Sequence, residues 1–333
     1  MVQSLFTGGK YQRVFIPDLP NYFFRQSTGK LIVSVFEKNT EKPINNAKVL
    51  ISENKGNGKI VATLQTNISG KTDTIVLPAP PREYASQPNG PKPYSEYTVT
   101  VEAPGYTTVK IRGVAIFAET TAKQKVELTP IRNEGTGYPI EIIDIPEHKL
   151  TGQYLELLPQ WYSPGLYSNV RIPGLIIVHD GHPFVYAPRY IVRFKEYIKN
   201  VAASELYPTW PNEAIKANVL SIISFILNRI HTKHYHSKGF DISSSTLFDQ
   251  IYVHGKTTFK EIDKIVDELF NQYIVKPGAF EPLLAHRCSG IKDCRSGYLS
   301  QWGSKYLADH GKNYMEILFH YYHEVQLRFA PLL

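Results

Sequence analysis

Short apolar runs separated by turn-forming residues fill the first 130 positions of the chain. The runs are rich in β-branched and aromatic residues, and no helical period links them. About seven such strands over roughly 100 residues predict a β-sandwich. The predicted strands are 30–37, 47–52, 60–65, 72–77, 97–102, 107–112 and 123–128. The segment 78–93 is polar and rich in proline, so we expect a long loop there.

After residue 190 the apolar residues recur with the period of an α-helix. Phe194, Ile198 and Val201 lie at i, i+4 and i+7 and form one stripe. A second helix is expected after Pro211, and its apolar residues cover two sides, which predicts a central helix. Further helices are predicted near 257–274, 299–310 and 314–322. Residues 131–190 are rich in Pro and Gly and are predicted to form a connector that packs against both halves.

Composition excludes several classes of protein. The 333 residues are 42% hydrophobic and 20% charged, which is typical of a chain with real cores and not of a disordered tail. The longest apolar runs are broken well short of the roughly 18 residues that a membrane span needs, so we expect no integral membrane protein. The first residues show no basic-then-apolar leader, and no secretory signal is expected.

Charge divides the chain into two parts. Residues 1–130 hold 16 basic and 10 acidic side chains, a difference of +6, and residues 131–333 hold 21 and 20, a difference of +1. All 11 histidines lie at or beyond His148. Two such compositions predict two domains with different roles. A basic surface suits a polyanion, although solubility alone also explains it. No helix-turn-helix spacing, zinc finger or basic run with interleaved aromatics points to nucleic acid.

Glu205 is the first anomaly in this pattern. It lies within about 20° of the apolar stripe of the first predicted helix, and its neighbours Leu206, Tyr207 and Trp210 are apolar or aromatic. Burial disfavours the charged form of a carboxylate, which is what a general acid working near neutral pH requires. The alternative is a glutamate at a helix end whose carboxylate reaches solvent or caps a neighbouring backbone group.

Histidines and cysteines offer weaker signals. His231, His234 and His236 follow one another at the end of the second predicted helix, where the helix C-terminus also favours histidine. No nearby carboxylate completes a metal triad, so we expect no metal and no other cofactor. The two cysteines, Cys288 and Cys294, cannot supply a disulfide framework or a four-thiolate zinc site.

The first half resembles the carboxypeptidase-regulatory-like, or prealbumin-like, sandwiches. The residues that carry this resemblance are 43–49 (PINNAKV), 66–71 with a Ser-Gly turn, and 103–106 (APGY). Such modules usually act as adaptors or binding domains. The resemblance therefore implies binding rather than chemistry for this half.

Three blocks in the second half resemble the stage II sporulation protein D (SpoIID/LytB) family. The first is 194–217 (FKEYIKNVAASELYPTWPNEAIKA), and the second is 246–252 (TLFDQIY). The third is 297–303 (GYLSQWG), followed by 307–308 (LA), 316–318 (EIL) and 321–322 (YY). Some members hold zinc with Cys and His before the second block. Here residues 243–249 contain neither, so zinc is not carried over.

The whole chain is similar to spore cortex-lytic enzymes of the SleC type, which join such a sandwich to this catalytic domain. The resemblance implies a multidomain α+β protein, with a prealbumin-like β-sandwich followed by a mainly helical α+β catalytic domain. The expected organisation is an extension at 1–28, the sandwich at 29–130, the connector at 131–190 and the SpoIID-like domain at 191–333.

The resemblance implies a peptidoglycan lytic transglycosylase with Glu205 as its single acid and base. Hydrolysis would need a second carboxylate, for which Asp241 and Asp249 are the candidates. The candidate substrate-binding residues are Tyr207, Trp210, Gln250, Tyr252, Ser300 and Gln301. A disulfide between Cys288 and Cys294 fits a wall enzyme, with a partial metal site that includes His286, or free thiols, as alternatives.

A non-catalytic protein is the rival interpretation. It would be an amidase-enhancer-like partner, or a part of a phage tail or similar particle that contacts the wall. In either case the expected partners are peptidoglycan glycan strands, anionic wall polymers, and a carrier particle or spore-coat proteins. We therefore expect the protein at the cell wall or in the spore cortex or coat.

Overall fold

The computed structural model describes residues 27–54, 58–131, 140–148, 150, 170–291 and 294–332. It is a mixed α+β chain, as predicted. The first half contains every strand that the sequence predicts, with some ends moved by several residues. These strands are β1 (Thr28–Glu37), β2 (Lys48–Glu53), β3 (Ile60–Gln65), β4 (Ile75–Pro78), β5 (Tyr94–Glu102), β6 (Thr108–Phe117) and β7 (Thr121–Leu128).

Two sheets share these strands. In one, β1 pairs in parallel with β7 and antiparallel with β4. In the other, the order is β3-β2-β5-β6, and all three pairings are antiparallel. Alternate residues of β1 (Leu31, Val33, Val35) are buried in the same apolar core as Val99 and Val101 of β5. The relation to prealbumin-like sandwiches stays a prediction.

Part of the predicted connector forms strands. Within 131–190 the structure has β8 (Ile140–Asp144) and β9 (Leu175–His179), and β10 (Arg189–Arg193) crosses its end. Strand β8 extends the second sheet by pairing in parallel with β6. Strands β9 and β10 form an antiparallel hairpin that leads directly into the first helix. The start of the connector, β8, therefore joins the first half, and its end, β9 and β10, joins the second. The domain boundaries themselves stay predictions.

Helices dominate the second half. In chain order, the remaining elements are α1 (Phe194–Glu205), α2 (Asn212–His231), β11 (Ile242–Ser243), β12 (Thr258–Phe259), α3 (Lys260–Leu269), β13 (Gln272–Val275), β14 (Arg287–Cys288), β15 (Leu299–Ser300), α4 (Gln301–Asp309), α5 (Tyr314–Tyr322) and β16 (Gln326–Phe329). The prediction that α2 is central is confirmed, because it is buried on nearly all sides from Ala214 to Asn228. No helix of the described residues has the length and apolar character needed to cross a membrane.

The predicted helix near 257–274 was wrong at both ends. Its first residues form β12, which pairs with β7, and its last residues form β13, which pairs with β16. The physical reason is local composition: Thr257-Thr258-Phe259 and Tyr273-Ile274-Val275 are β-branched or aromatic and favour a strand. Only the middle, α3, keeps the helical period.

The two halves are joined through a common sheet. Strand β12 of the second half adds to the edge of β7, which gives the strand order β12-β7-β1-β4. The Glu261 carboxylate accepts a hydrogen bond from the main-chain N–H of Thr121 at 3.1 Å. Lys123 forms an ion pair with the buried Asp263. These contacts fix the second half against the sandwich-like half.

Candidate active site

Glu205 is the last residue of α1 and is fully buried. The apolar stripe of α1, formed by Phe194, Ile198 and Val201, packs into the core. Glu205 lies on the same face of the helix, and all four side chains are no more than 2% exposed. The prediction that Glu205 lies on the buried face is confirmed. The alternative in which its carboxylate reaches solvent is wrong, whereas the alternative in which it binds a backbone N–H agrees with its contact to Ile251.

Three distant segments hold Glu205. Its Oε2 lies 2.7 Å from Nη2 of Arg287, and both side chains of this ion pair are fully buried. Its Oε1 accepts a hydrogen bond from the main-chain N–H of Ile251 at 3.1 Å. Its main-chain carbonyl accepts one from Nε2 of Gln301 at 3.3 Å. The three sequence blocks therefore meet at this one residue, together with an arginine that sequence analysis missed.

Two amide side chains proposed as sugar ligands, Gln250 and Gln301, are fully buried. Tyr197 donates its hydroxyl to Oε1 of Gln250 at 3.0 Å, and Nε2 of Gln250 donates to the carbonyl of Ile222 at 3.2 Å. Gln250 thus links α1 to α2, and Gln301 supports the backbone of Glu205. In this arrangement both amides hold the site together from inside the protein.

The aromatic candidates differ in burial. Trp210 is buried and donates its indole N–H to the carbonyl of Ala85 at 3.1 Å. Tyr252 is also buried, stacks on Tyr197 with ring centroids 5.9 Å apart, and has its pKa raised by desolvation. Both rings lie in the core of this structure, and neither presents a face to solvent.

Tyr207 and Ser300 are half-buried. The Tyr207 ring packs against Phe117 and Trp210, and burial raises the pKa of its hydroxyl to about 12, so it stays protonated at neutral pH. Ser300 caps the start of α4, where its Oγ accepts a hydrogen bond from the N–H of Gly303 at 2.9 Å. Of the six candidates, these two are the ones with partial exposure.

The two aspartates considered as partners of Glu205 are engaged elsewhere. Asp249 is fully buried and accepts hydrogen bonds from Arg229, Tyr235 and Ser243. Oδ2 of Asp241 accepts a hydrogen bond from the N–H of Ile177 at 2.7 Å. Such contacts are typical of structural carboxylates, because each fixes a loop or strand end.

Cys288 and Cys294 are joined in a disulfide with their Cα atoms 6.0 Å apart. His286, considered as a third metal ligand, stacks on the ring of Tyr298 with centroids 4.7 Å apart. Burial lowers the pKa of His234, in the histidine run after α2, to about 4. Among the residues that the structure describes, no group of three or more His, Cys, Asp or Glu side chains could hold a metal ion.

Several solved structures are similar to part of the chain, at low similarity. The Bacillus anthracis TIE protein is 14% identical, with a TM-score of 0.22 over 31% of this chain and 17% of its own. GBS52, the minor pilin of Streptococcus agalactiae, is 17% identical, with a TM-score of 0.24 over 34% and 48%. Klebsiella pneumoniae 5-hydroxyisourate hydrolase is 20% identical, with a TM-score of 0.20 over 30% and 90%. Likenesses this weak support no conclusion about function.

A family profile gives the specific match. No curated protein matches the chain. Residues 189–275 match the profile of SpoIID, stage II sporulation protein. This range runs from β10 to β13 and contains Glu205 and the first two sequence blocks, whereas Arg287 and the third block lie beyond it. The second half of the chain therefore contains a SpoIID-type domain.

Proposed function

We propose that the protein is a peptidoglycan lytic transglycosylase that cleaves the bond between N-acetylmuramic acid and N-acetylglucosamine. The SpoIID-type domain supports a role at the cell wall. The observation that carries the specific proposal is the convergence of three separate segments on the carboxylate and backbone of Glu205. A constellation built from distant parts of the chain around one acid suits chemistry that needs a single positioned group.

The reaction uses Glu205 twice. Glu205, the carboxylate partner of Arg287 in the ion pair, first takes up a proton from solvent and then gives it to the glycosidic oxygen as the bond from that oxygen to C1 of the muramic residue breaks. The resulting carboxylate then takes the proton of the muramic C6 hydroxyl, whose oxygen bonds to C1 and closes the 1,6-anhydro ring. No water is consumed, and Glu205 ends protonated, as it was before the first transfer.

A single carboxylate favours this reaction over hydrolysis. Inverting hydrolysis needs a second carboxylate to activate water, and most retaining enzymes need one as nucleophile. Asp241 and Asp249 are engaged in the loop and strand contacts described above. In the proposed reaction the C6 hydroxyl of the muramic residue is the nucleophile, so neither an activated water nor a nucleophilic carboxylate is needed.

Substrate access requires local movement. Because Glu205 is fully buried, a sugar oxygen reaches it only after the side chains that cover it move. We assign direct sugar contacts to Tyr207 and Ser300, which are half-buried. We assign supporting roles to the four buried candidates, which are Trp210, Gln250, Tyr252 and Gln301.

The burial of Glu205 also favours a second candidate function. Glu205 has no exposed surface, and its cationic partner Arg287 is buried too. Structural ion pairs without a catalytic role show the same features. The SpoIID-type domain would then bind glycan strands without cleaving them, as in a wall-contacting structural protein or an enhancer of another enzyme. In both cases the surplus of six positive charges in residues 1–130 suits anionic wall polymers.

One experiment separates the two functions. Purified protein is incubated with vegetative peptidoglycan and, separately, with cortex peptidoglycan rich in muramic lactam, and the products are analysed by mass spectrometry. We expect anhydro-muropeptides that disappear in Glu205→Gln and persist in Glu196→Gln, which changes an exposed glutamate of the same helix. Circular dichroism checks that both variants fold. Reducing ends would indicate hydrolysis, and intact glycan on both substrates with retained binding would establish the second candidate.

A further inference from the structure

Arg287 contacts the carboxylate of Glu205 inside the protein. Its Nη2 lies 2.7 Å from Oε2 of Glu205, and neither side chain has exposed surface. The other carboxylate oxygen, Oε1, is held by the N–H of Ile251 at 3.1 Å. With its two oxygens held from different segments, the carboxylate cannot rotate freely about its terminal bond.

The backbone around Arg287 is itself held firmly. Strand β14 pairs in parallel with β15, with Arg287 opposite Leu299 and Cys288 opposite Ser300. Cys288, the next residue, is tied to Cys294 by the disulfide. Gln301 directly follows β15 and donates to the main-chain carbonyl of Glu205. One small two-stranded element thus fixes Glu205 at both its side chain and its backbone.

A buried ion pair does not by itself indicate a gain in stability. Apolar residues of similar volume often stabilise a protein as well as a buried pair does, because both charges lose their hydration. The charged pair therefore calls for another explanation at a residue proposed to exchange protons. An arginine suits that role, since it stays protonated and cannot itself act as the acid.

We propose that Arg287 is a positioning residue for Glu205, an inference that rests on the proposed transglycosylase function. When the proton of Glu205 passes to the glycosidic oxygen, a negative charge is left on the carboxylate. Arg287 stabilises that charge from a fully buried position, where a fixed cation acts most strongly. It also keeps the carboxylate aimed for the return step, in which the C6 proton comes back. Arg287 exchanges no proton, and the balance of the reaction is unchanged.

The test compares two variants of Arg287 with a matched control. Arg287→Met removes the positive charge. Arg287→Lys keeps the charge but replaces the planar guanidinium, with its fixed N–H donors, by an ammonium group. Arg229→Met is the control, because Arg229 forms another ion pair of the second half, 3.1 Å from the fully buried Asp249. Formation of anhydro products from soluble glycan strands is followed as a function of pH, and urea unfolding reports stability.

We expect Arg287→Met to lower kcat about a hundredfold with little change in KM. Arg287→Lys should lower kcat only about tenfold. Arg229→Met should lose stability while its pH profile stays where it is.

Two outcomes would overturn the assignment while the proposed function stands. One is an active parent whose Arg287→Met variant keeps the parental kcat and pH profile. The other is a loss of activity that Arg229→Met reproduces at equal loss of stability. If Arg287→Met does not fold, Arg287→Lys decides, since a folded lysine variant with parental kcat also overturns the assignment. A parent that forms no anhydro product on any glycan instead overturns the proposed function, and this assignment with it.

Discussion

The indole N–H of Trp210 donates a hydrogen bond of 3.1 Å to the main-chain carbonyl of Ala85, 125 positions earlier in the chain. Next to it, Arg82 donates to the carbonyl of Thr209 at 2.8 Å. The loop that follows Glu205 is therefore attached to the long loop of the first half. Through this contact the sandwich-like half supports the site that Glu205 occupies.

We expect Trp210→Phe to destabilise the protein by about 1–2 kcal/mol, because the buried carbonyl of Ala85 loses its donor. Trp302→Phe is the matched control, since its buried indole nitrogen has no hydrogen-bond partner in the described part of the chain. Urea unfolding of both variants gives the difference. Glycan affinity, measured in the same preparations, should be unchanged in Trp210→Phe. A large loss of affinity at unchanged stability would restore Trp210 as a sugar ligand.

How far the sequence predicts the site depends on the distance between the residues involved. The apolar stripe that begins at Phe194 is local and places Glu205 on the buried face, as observed. Arg287 is 82 positions from Glu205, and nothing in the pattern around it signals a partner that far away. The sequence blocks indicate which segments matter, but their contact through Ile251 and Gln301 arises only from the packing of the fold.

The substrate-binding candidates show a second limit of sequence interpretation. Tyr, Trp and Gln side chains serve equally well as sugar ligands and as buried residues with satisfied polar groups. Gln250 and Trp210 are buried with internal partners, whereas Tyr207 is half-buried. Whether a residue is buried depends on which elements pack over it, and these elements come from distant parts of the chain. The pairing of β12 with β7 is one such long-range contact, and a short local sequence pattern does not predict it.

Gly303 in the third sequence block leaves no room for a side chain. A Cβ there would lie 1.9 Å from the hydroxyl of Tyr321 and 2.9 Å from Oγ of Ser300, the atom that caps α4. We expect Gly303→Ala to destabilise the protein by about 1–3 kcal/mol through overpacking. Gly174→Ala, where no atom lies within 4 Å of an added Cβ, should change stability little.

A second substitution, at Tyr321, should relieve the crowding that Gly303→Ala creates. Tyr321→Phe removes the hydroxyl that an alanine at 303 would meet first, so the double variant should recover part of the lost stability. Thermal unfolding of the two single variants and the double variant gives the coupling between the sites. Strictly additive losses would show that the hydroxyl is not the atom that opposes the new methyl group.

His148 makes the stability of the protein depend on pH. It is buried beside Leu206, whose carbonyl lies 2.9 Å from its Nε2. Desolvation, and then the charge of nearby Lys256, lower the pKa of His148 to about 3 from its usual 6.5. The folded state therefore holds this imidazole neutral. Its contribution to stability is present above pH 6.5 and is lost as the pH falls toward 3, because the unfolded chain binds the proton first.

We expect the slope of unfolding free energy against pH to include about 1.4 kcal/mol per pH unit from His148 below pH 6. His148→Gln keeps a donor for the Leu206 carbonyl but does not titrate, so its slope should be smaller by that amount. His320→Gln, a change at an exposed histidine, serves as the control. Urea unfolding between pH 5 and 7.5 measures all three proteins. Parallel slopes for the parent and His148→Gln would contradict the assignment.

The disulfide between Cys288 and Cys294 should matter more for the site than for global stability. It closes a loop with a sequence separation of only 6, and so short a loop is expected to contribute roughly 2 kcal/mol. Yet Cys288 follows Arg287 directly and faces Ser300 in the neighbouring strand, next to Gln301. We therefore expect the double variant Cys288→Ala/Cys294→Ala to stay folded at moderate temperature while its rate of glycan cleavage falls about tenfold or more. The parent treated with a reductant should show the same loss, and reoxidation should restore its rate. A cysteine-free variant with the parental rate would mean that strand pairing alone holds Arg287 against Glu205.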